Sequence, residues 1–240
     1  MRLSRRRVRG VVDKELRDLR RNSNVVYTML VLPLIFLVQP VVEVLTLSAH
    51  SAAVLRREHT LTYLLAIPTL VPAALAAYAI VGERLQGTLE PLLSTPVQRR
   101  ELILGKALAV FLPSLAVAYV VFALFVIIVE LFSAAGVAGA LLRTPYVLAQ
   151  VIFTPLLATW SIWLGMVISA RFADPRAATQ VAILVSLPTV AITSLIAFNV
   201  IPANLRVALG FGVGLLVLNR IGWRVATAVF DRERLITGSR

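Results

Sequence analysis

The residues that could carry covalent chemistry are few, and their spacing serves none. Gly105-Lys106 is the nearest approach to a phosphate-binding loop, but Arg100 stands where that loop needs its first glycine. Ala107 occupies the place of the hydroxyl residue that would hold Mg²⁺. There is no cysteine, so no thiolate metal site or disulfide framework can form. His50 and His59 fall in one loop with no acidic cluster beside them, and solvated side chains are the expectation there rather than a metal site. No His-Glu-x-x-His and no Gly-x-Ser-x-Gly occurs. The carboxylates lie singly, without the clustering that a metal-dependent phosphotransferase needs. This pattern gives an enzyme little support.

The elements around these residues explain the scarcity. Hydrophobic residues make up 59% of the 240 and charged residues 15%, where a soluble domain carries about 25% charged. Six apolar stretches are each about long enough to cross a bilayer. They run over Val25–Val44, Leu61–Val81, Ala107–Val129, Val147–Ala170, Thr179–Phe198 and Leu205–Ile221. The sixth is closed early by Asn219 and Arg220, and a helix continuing to about Phe230 with Arg220 and Arg224 snorkelling fits it. The expected fold is all-α: a polytopic integral membrane protein of six transmembrane helices preceded by an amphipathic interfacial helix. Prolines inside the spans (Pro33, Pro40, Pro68, Pro72, Pro113, Pro155, Pro188) are tolerated where neighbours satisfy the freed carbonyls. Glu43 and Glu130 fall at the outer ends of the first and third spans, where solvated end residues are expected.

The net charge of +12 is distributed around the spans rather than along a groove with interleaved aromatics, which argues against nucleic acid as a partner. Nine of the basic residues lie in positions 1–24, where Val8, Val11, Val12, Leu16 and Leu19 recur at helical spacing. That segment reads as a helix lying in the interface, apolar face in the acyl boundary and arginines at the phosphates. It precedes the first apolar run by too many polar residues for an export signal, so a membrane-surface segment is expected. Asn22-Ser23-Asn24 ends it. With both termini inside, twenty Lys/Arg fall on the cytoplasmic side and four outside, which sets the expected topology. The expected organisation is thus an interfacial helix over 1–24, a six-span domain over 25–221 and a cytoplasmic helix end over 222–240.

The longest polar interruption between spans, Gly82 to Lys106, is built with care. Thr88 can cap a turn in which Leu89, Leu92 and Leu93 share one face, with Pro91 inside the first turn. Thr95, Pro96 and Gln98 then read as a capping box with proline at the first helical position. This loop has the character of a contact surface for a partner on the inner side.

The run Gly82-Glu83-Arg84-x-x-Gly87-Thr88-Leu89-Glu90-x-Leu92-Leu93-x-Thr95-Pro96-Val97, followed by Glu101-Leu102-x-x-Gly105-Lys106, resembles the loop after the second span of type-2 ABC transporter permeases, the membrane subunits of polysaccharide, drug and sodium-ion exporters. Asp13-Lys14-Glu15-Leu16-Arg17-Asp18 is similar to the family's amphipathic elbow helix. Asp174-Pro175-Arg176-Ala177-Ala178 resembles its second cytoplasmic loop, with Asp174 capping a helix that starts at Pro175. Phe230 to Leu235 is similar to the usual terminus of the family.

The resemblance implies a multi-pass permease subunit in the cell (inner or plasma) membrane. It would pair with a second permease copy, as a homodimer or related heterodimer, and with an ABC-type ATPase subunit that carries ATP and Mg²⁺. No cofactor is expected in this chain. The implied coupling contacts are Glu83, Arg84, Gly87, Thr88, Leu89, Glu90, Leu92, Leu93, Thr95 and Pro96. The leucines would sit in a cleft of the ATPase, and Glu83, Arg84, Glu90 and Arg99 would form rim charges. Asp13, Lys14, Glu15 and Arg17 belong to the elbow helix, and Asp174 and Arg176 to the second cytoplasmic loop. Tyr63, Tyr78, Gln150, Thr154 and Gln180 are candidates for the translocation path. A membrane enzyme acting on lipid and a scaffold that transports nothing are the alternatives. The first needs a buried reactive cluster. The second is distinguished by whether a stoichiometric ATPase accompanies the chain.

Overall fold

The computed structural model describes residues 4–46, 60–85, 87, 98–134, 136–202 and 204–229. These form helices, with no strand among them. Helix α1 (Arg5–Arg21) is followed by α2 (Ser23–Thr46), the short α3 (Thr60–Tyr63) and α4 (Ile67–Leu85). Then come α5 (Arg99–Phe132), the short α6 (Val137–Leu141), α7 (Thr144–Ser169), α8 (Pro175–Ala197) and α9 (Leu205–Val229). Six helical stretches are long and apolar enough to span a membrane. They coincide with the six expected spans, and the sixth does continue, to Val229.

The second span is the axis of the bundle. In its most apolar stretch 89% of residues are buried, against 11–56% in the other five. Helices α2, α5, α7 and α8 pack around it, and α9 packs on the outside of α7. Small residues explain how neighbours come so close. Ala73, Ala76 and Ala77 are fully buried on α4, and α7 presents Gly165 to them. A Cβ at Gly165 would stand 2.5 Å from the carbonyl oxygen of Ala73 and 2.7 Å from Ala76 Cβ. Where lipid supplies no hydrophobic drive between helices, such close backbone approach is the source of the packing energy. One turn further along, Ser169 Oγ accepts hydrogen bonds from the amides of Ile80 (3.0 Å) and Val81 (3.1 Å).

Several prolines have their consequences answered locally. Pro68 cannot donate to the Leu64 carbonyl, and there the helix tightens into a 3₁₀ turn over Leu64–Ala66, with Ile67 N–H donating to Leu64 O instead. Pro155 likewise frees the carbonyl of Val151, which accepts from Tyr119 Oη on α5 at 2.9 Å. Asp174 caps α8 as expected: its Oδ1 accepts from Arg176 N at 3.1 Å, with Pro175 as the first helical residue.

Two boundaries differ from expectation. The third apolar stretch, expected over Ala107–Val129, lies within a longer helix of 34 residues from Arg99, about 51 Å at 1.5 Å per residue. That exceeds the hydrocarbon by about 20 Å, so its first turns stand clear of the apolar core. Its N-cap is Gln98, whose amide donates to Glu101 Oε2 at 3.0 Å. The capping box is therefore Gln98/Glu101, three residues later than the Thr95/Gln98 pair the sequence suggested. Glu101 at the third helical position supplies the carboxylate that the orphan amide needs, and a glutamine there would be a weaker acceptor. The loop after α5 also holds α6, entered through Gly136 in the left-handed region (φ 84°).

The faces turned outward are apolar. Tyr27, Leu30, Val31, Leu34, Ile35, Val38 and Val42 on α2 are exposed, as are Leu209, Val213, Leu216 and Val217 on α9. On a soluble protein this would be a liability, whereas on a bundle with six spans it is the surface that lipid or another subunit covers. Glu130 is exposed near the end of α5, and Glu43 lies 3.5 Å from Gln39 Nε2 at the end of α2.

Candidate functional site: an ion-paired junction at the loop flanks

The most polar interior of the described structure lies where α1 meets the ends of α4 and α5. The packing that makes it possible starts with Gly105. A Cβ there would lie 2.6 Å from Val11 Cγ1 and 3.3 Å from the Val8 carbonyl oxygen, so only glycine lets α1 lie against α5 at this depth. Val11 is correspondingly buried. The next residue, Lys106, is 1% exposed and sends its ammonium to three acceptors. They are Glu15 Oε1 on α1 at 2.8 Å, Glu83 Oε2 on α4 at 2.9 Å and the Ala79 carbonyl at 2.9 Å. Two of these are hydrogen bonds, to Glu15 and the Ala79 carbonyl, and the third is a close ion pair with Glu83. Gly105-Lys106 is thus a helix junction: the glycine admits α1 and the lysine ties it down.

Glu83 is shared. Its Oε1 accepts from Lys14 Nζ at 2.6 Å, and Lys14 also approaches Glu15 Oε1 (3.5 Å) and Asp18 Oδ2 (3.6 Å). A second bracket sits nearby. Glu101 is fully buried, and its Oε1 accepts from the amide of Ser4 at 2.7 Å while Arg7 Nη1 stands 3.6 Å from Oε2. One carboxylate therefore holds the amides that open both α1 and α5. The segment between α4 and α5 has Glu83 just before it and Glu101 and Lys106 just after it, and all three are bound by α1.

The electrostatics favour charged forms. Burial pushes the Glu15 carboxyl up, but the charge and hydrogen bond of Lys106, with Lys14 beside them, outweigh it and hold the group below the ordinary carboxylate range. For Lys14, burial pulls the other way from its hydrogen bond and charge pairing with Glu83, and the pairing prevails, raising it above the usual lysine value. A depressed carboxylate contributes stability that is complete above its unfolded pKa and vanishes as pH falls through the folded one. A raised lysine contributes stability that is complete below its unfolded pKa and vanishes as pH rises through the folded one. Docking of α1 should therefore hold unchanged from about pH 5 to about pH 10, with acid release only below about pH 4. Limited proteolysis within α1 across pH measures this, and release between pH 5 and 8 would contradict the assignment.

The residues singled out from sequence are distributed as follows. Lys14, Glu15 and Glu83 converge in the junction. Glu83 is buried there, so it is not a rim charge facing outward; its distance from solvent follows from the two lysines that enclose it. Asp13 and Arg17 are exposed on the opposite side of α1, Asp13 paired with Arg9 (3.9 Å) and Arg17 Nε donating to the Asp13 carbonyl (3.1 Å). Gly87 is exposed with φ +66°, in the left-handed region that suits glycine as the chain leaves α4. Thr88, Leu89, Glu90, Leu92, Leu93, Thr95, Pro96 and the side chain of Arg84 lie outside the described residues. Arg176 is exposed beside its cap.

The five path candidates are dispersed. Tyr63 packs on Phe36 with ring centroids 5.8 Å apart, and Gln180 is exposed on α8. Gln150 and Thr154 are buried within α7, 3.5 Å apart. Tyr78 lines a cleft with Glu15, Asp18, Leu19, Asn22 and Glu83.

Sequence reading treated α1 and the loop separately and missed that they share one network. A signal was present. Glu15 follows the apolar Val11 by four residues and precedes the apolar Leu19 by four, which places a carboxylate inside the packed face of α1 rather than on its polar side. A buried carboxylate demands a buried cation, and Lys106 is the cation it meets.

Nothing in this junction offers a nucleophile poised beside a base. What it can do is hold three helices as one body. No curated protein matches the chain. The family model described as "ABC-2 family transporter protein" matches residues 10–224 of the 240, a range that takes in most of α1, the first five spans and most of the sixth. By that match, and with the six-span bundle it covers, the chain belongs to the ABC-2 family of transporter membrane proteins.

Proposed function

We propose that this chain is the permease subunit of an ABC exporter, driven by a separate ATPase subunit that binds the segment between α4 and α5. The observation that carries the reading is the bracketing of that segment. Its two flanks are held on one side by Glu83 and on the other by Glu101 and Lys106, all bound to α1. A force on the segment thus reaches α1, α4 and α5 together, and α4 is the buried axis on which the other spans pack. A relay of this kind needs an element whose contacts differ between two states. Leu89, Leu92 and Leu93, seated in an ATPase cleft with Arg84 and Glu90 at its rim, would supply it. ATP and Mg²⁺ belong to that partner. The assembly pairs two permease copies, identical or related, in the cell membrane, with both termini in the cytoplasm, a placement that the basic-residue asymmetry supports. The path runs between the copies, and of the polar candidates the exposed Gln180 and the half-buried Tyr63 and Tyr78 are open to it, whereas Gln150 and Thr154 are enclosed within the bundle.

The test is to purify the chain with its ATPase and measure hydrolysis and cargo movement in vesicles. Leu92→Asp places an uncompensated charge in an apolar seat, a penalty of a few kcal/mol, and transport should fall by about two orders of magnitude while the bundle melts as the parent does. Leu89→Ala and Glu90→Ala should leave hydrolysis running but uncoupled. Full transport by Leu92→Asp, or transport by the chain with no nucleotide-hydrolysing companion, would end the proposal.

A further inference from the structure

The side of α1 turned away from α5 takes no part in the junction. Arg5, Arg6, Arg17, Arg20 and Arg21 are exposed there, and at 3.6 residues per turn they span an arc of about 160° around the helix. Asp13 is the one acidic residue within that arc; its carboxylate pairs with Arg9, and its backbone carbonyl accepts from Arg17 Nε. Arg5, Arg6, Arg20 and Arg21 have no acidic partner among the described residues. Beside the arc runs a flank of half-buried apolar residues, Val8, Val12, Leu16 and Leu19. Only Asn22 separates α1 from α2, and the exposed apolar residues of α2 begin at Val26 and Tyr27. Helix α1 therefore sits at the level where a span enters the bilayer. Unpaired guanidinium groups at that depth, next to an apolar flank, meet lipid phosphates.

We infer that this arginine arc binds anionic phospholipid and that the negative charge of the leaflet thereby regulates the transporter. The binding surface stands on the geometry of α1, and the regulatory half rests on the permease reading above. Helix α1 carries Lys14 and Glu15 on the same rigid rod as the arginines, and these hold Glu83 and Lys106 at the two flanks of the loop. Attraction of α1 to the headgroups is in this way conveyed to the segment that an ATPase would grip. A neutral leaflet leaves the rod held by the junction alone.

Two measurements on the full chain decide it. The first counts lipids retained by the purified protein after exposure to an equal mixture of phosphatidylglycerol and phosphatidylcholine. Each arginine at an anionic surface contributes about a factor of five, so replacing Arg5, Arg6, Arg20 and Arg21 by glutamine should lower the phosphatidylglycerol preference by two orders of magnitude or more. Replacing the same four by lysine should keep most of it, and high salt should weaken it in the parent protein. The glutamine variant should melt as the parent does, because none of the four holds an ion pair or side-chain hydrogen bond among the described residues. An undiminished preference in the glutamine variant overturns the binding surface. Loss of ATPase co-purification in that variant with lipid preference unchanged gives the arc to a protein partner instead.

The second measurement compares ATP hydrolysis by the assembled complex in vesicles of phosphatidylcholine alone and of the mixture. Hydrolysis should rise severalfold in the mixture for the parent and stay level for the glutamine variant. Equal rates in both lipids for the parent overturn regulation. If no ATPase assembles with the chain, the permease reading and the regulatory half fall together, and the lipid count alone decides the binding surface.

Discussion

Replacing Lys106 by methionine is expected to cost about 3–5 kcal/mol, the range for removing one partner of a buried ion pair. The size follows from what remains. Glu15 and Glu83 lose the ammonium that approaches them at 2.8 and 2.9 Å, and two carboxylates are left enclosed with Lys14 as their one close cation. The Ala79 carbonyl loses its donor as well. Methionine fills nearly the same volume, so the loss is electrostatic rather than a cavity. In thermal unfolding of the purified chain the variant should melt well below the parent, and α1 should become open to protease. Combining Lys106→Met with Glu15→Gln and Glu83→Gln removes the stranded charges and should restore most of the difference, because replacing a buried ionic cluster as a whole is far cheaper than breaking it. A Lys106→Met protein that melts with the parent would remove the junction from any account of how α1 is held.

Gly165→Val is expected to be comparably severe through a different cause. Its Cβ would be 2.5 Å from the Ala73 carbonyl oxygen and 3.0 Å from the Ala77 amide nitrogen. Those are backbone atoms of the central helix and cannot rotate out of the way as a side-chain tip could. Overpacking of a tight interface costs about 1–3 kcal/mol and occasionally more, and this site belongs at the upper end. Gly214→Val is the control, since a Cβ at Gly214 meets nothing within 4 Å. The pair should differ clearly in melting temperature. Equal melting would mean that α4 and α7 are free to separate, and α4 would then not be the axis of the bundle.

How far these features could be read in advance depends on the range of the interaction behind them. Span positions rest on local sums of hydrophobicity, and the six were legible to within a few residues at most ends. The cap at Asp174 was legible because an N-cap and a proline at the next position act within one turn. The start of α5 was misplaced by three residues. Thr95 and Gln98 satisfy the capping pattern as well as Gln98 and Glu101 do, and what anchors the second pair is the distant Ser4 amide on Glu101. The path candidates share only polarity within an apolar span, and polarity does not say which way a side chain faces. Gln150 and Thr154 turn inward on α7 and Gln180 turns outward on α8.

Taken alone, the order of residues determined that the chain is a bundle of six membrane-crossing helices, that its basic residues gather at one set of loops, and which motifs mark the flanks of the segment between α4 and α5. Hydrophobic length and charge asymmetry are properties of a segment, and no fold is needed to evaluate them. The tertiary structure decided that Glu15, Glu83 and Lys106 are one buried cluster, that the second span is the axis, and that Gly105 and Gly165 are contact points rather than loose joints. Each of those depends on residues tens of positions apart meeting within hydrogen-bond or van der Waals distance, and the chain must fold before such distances exist.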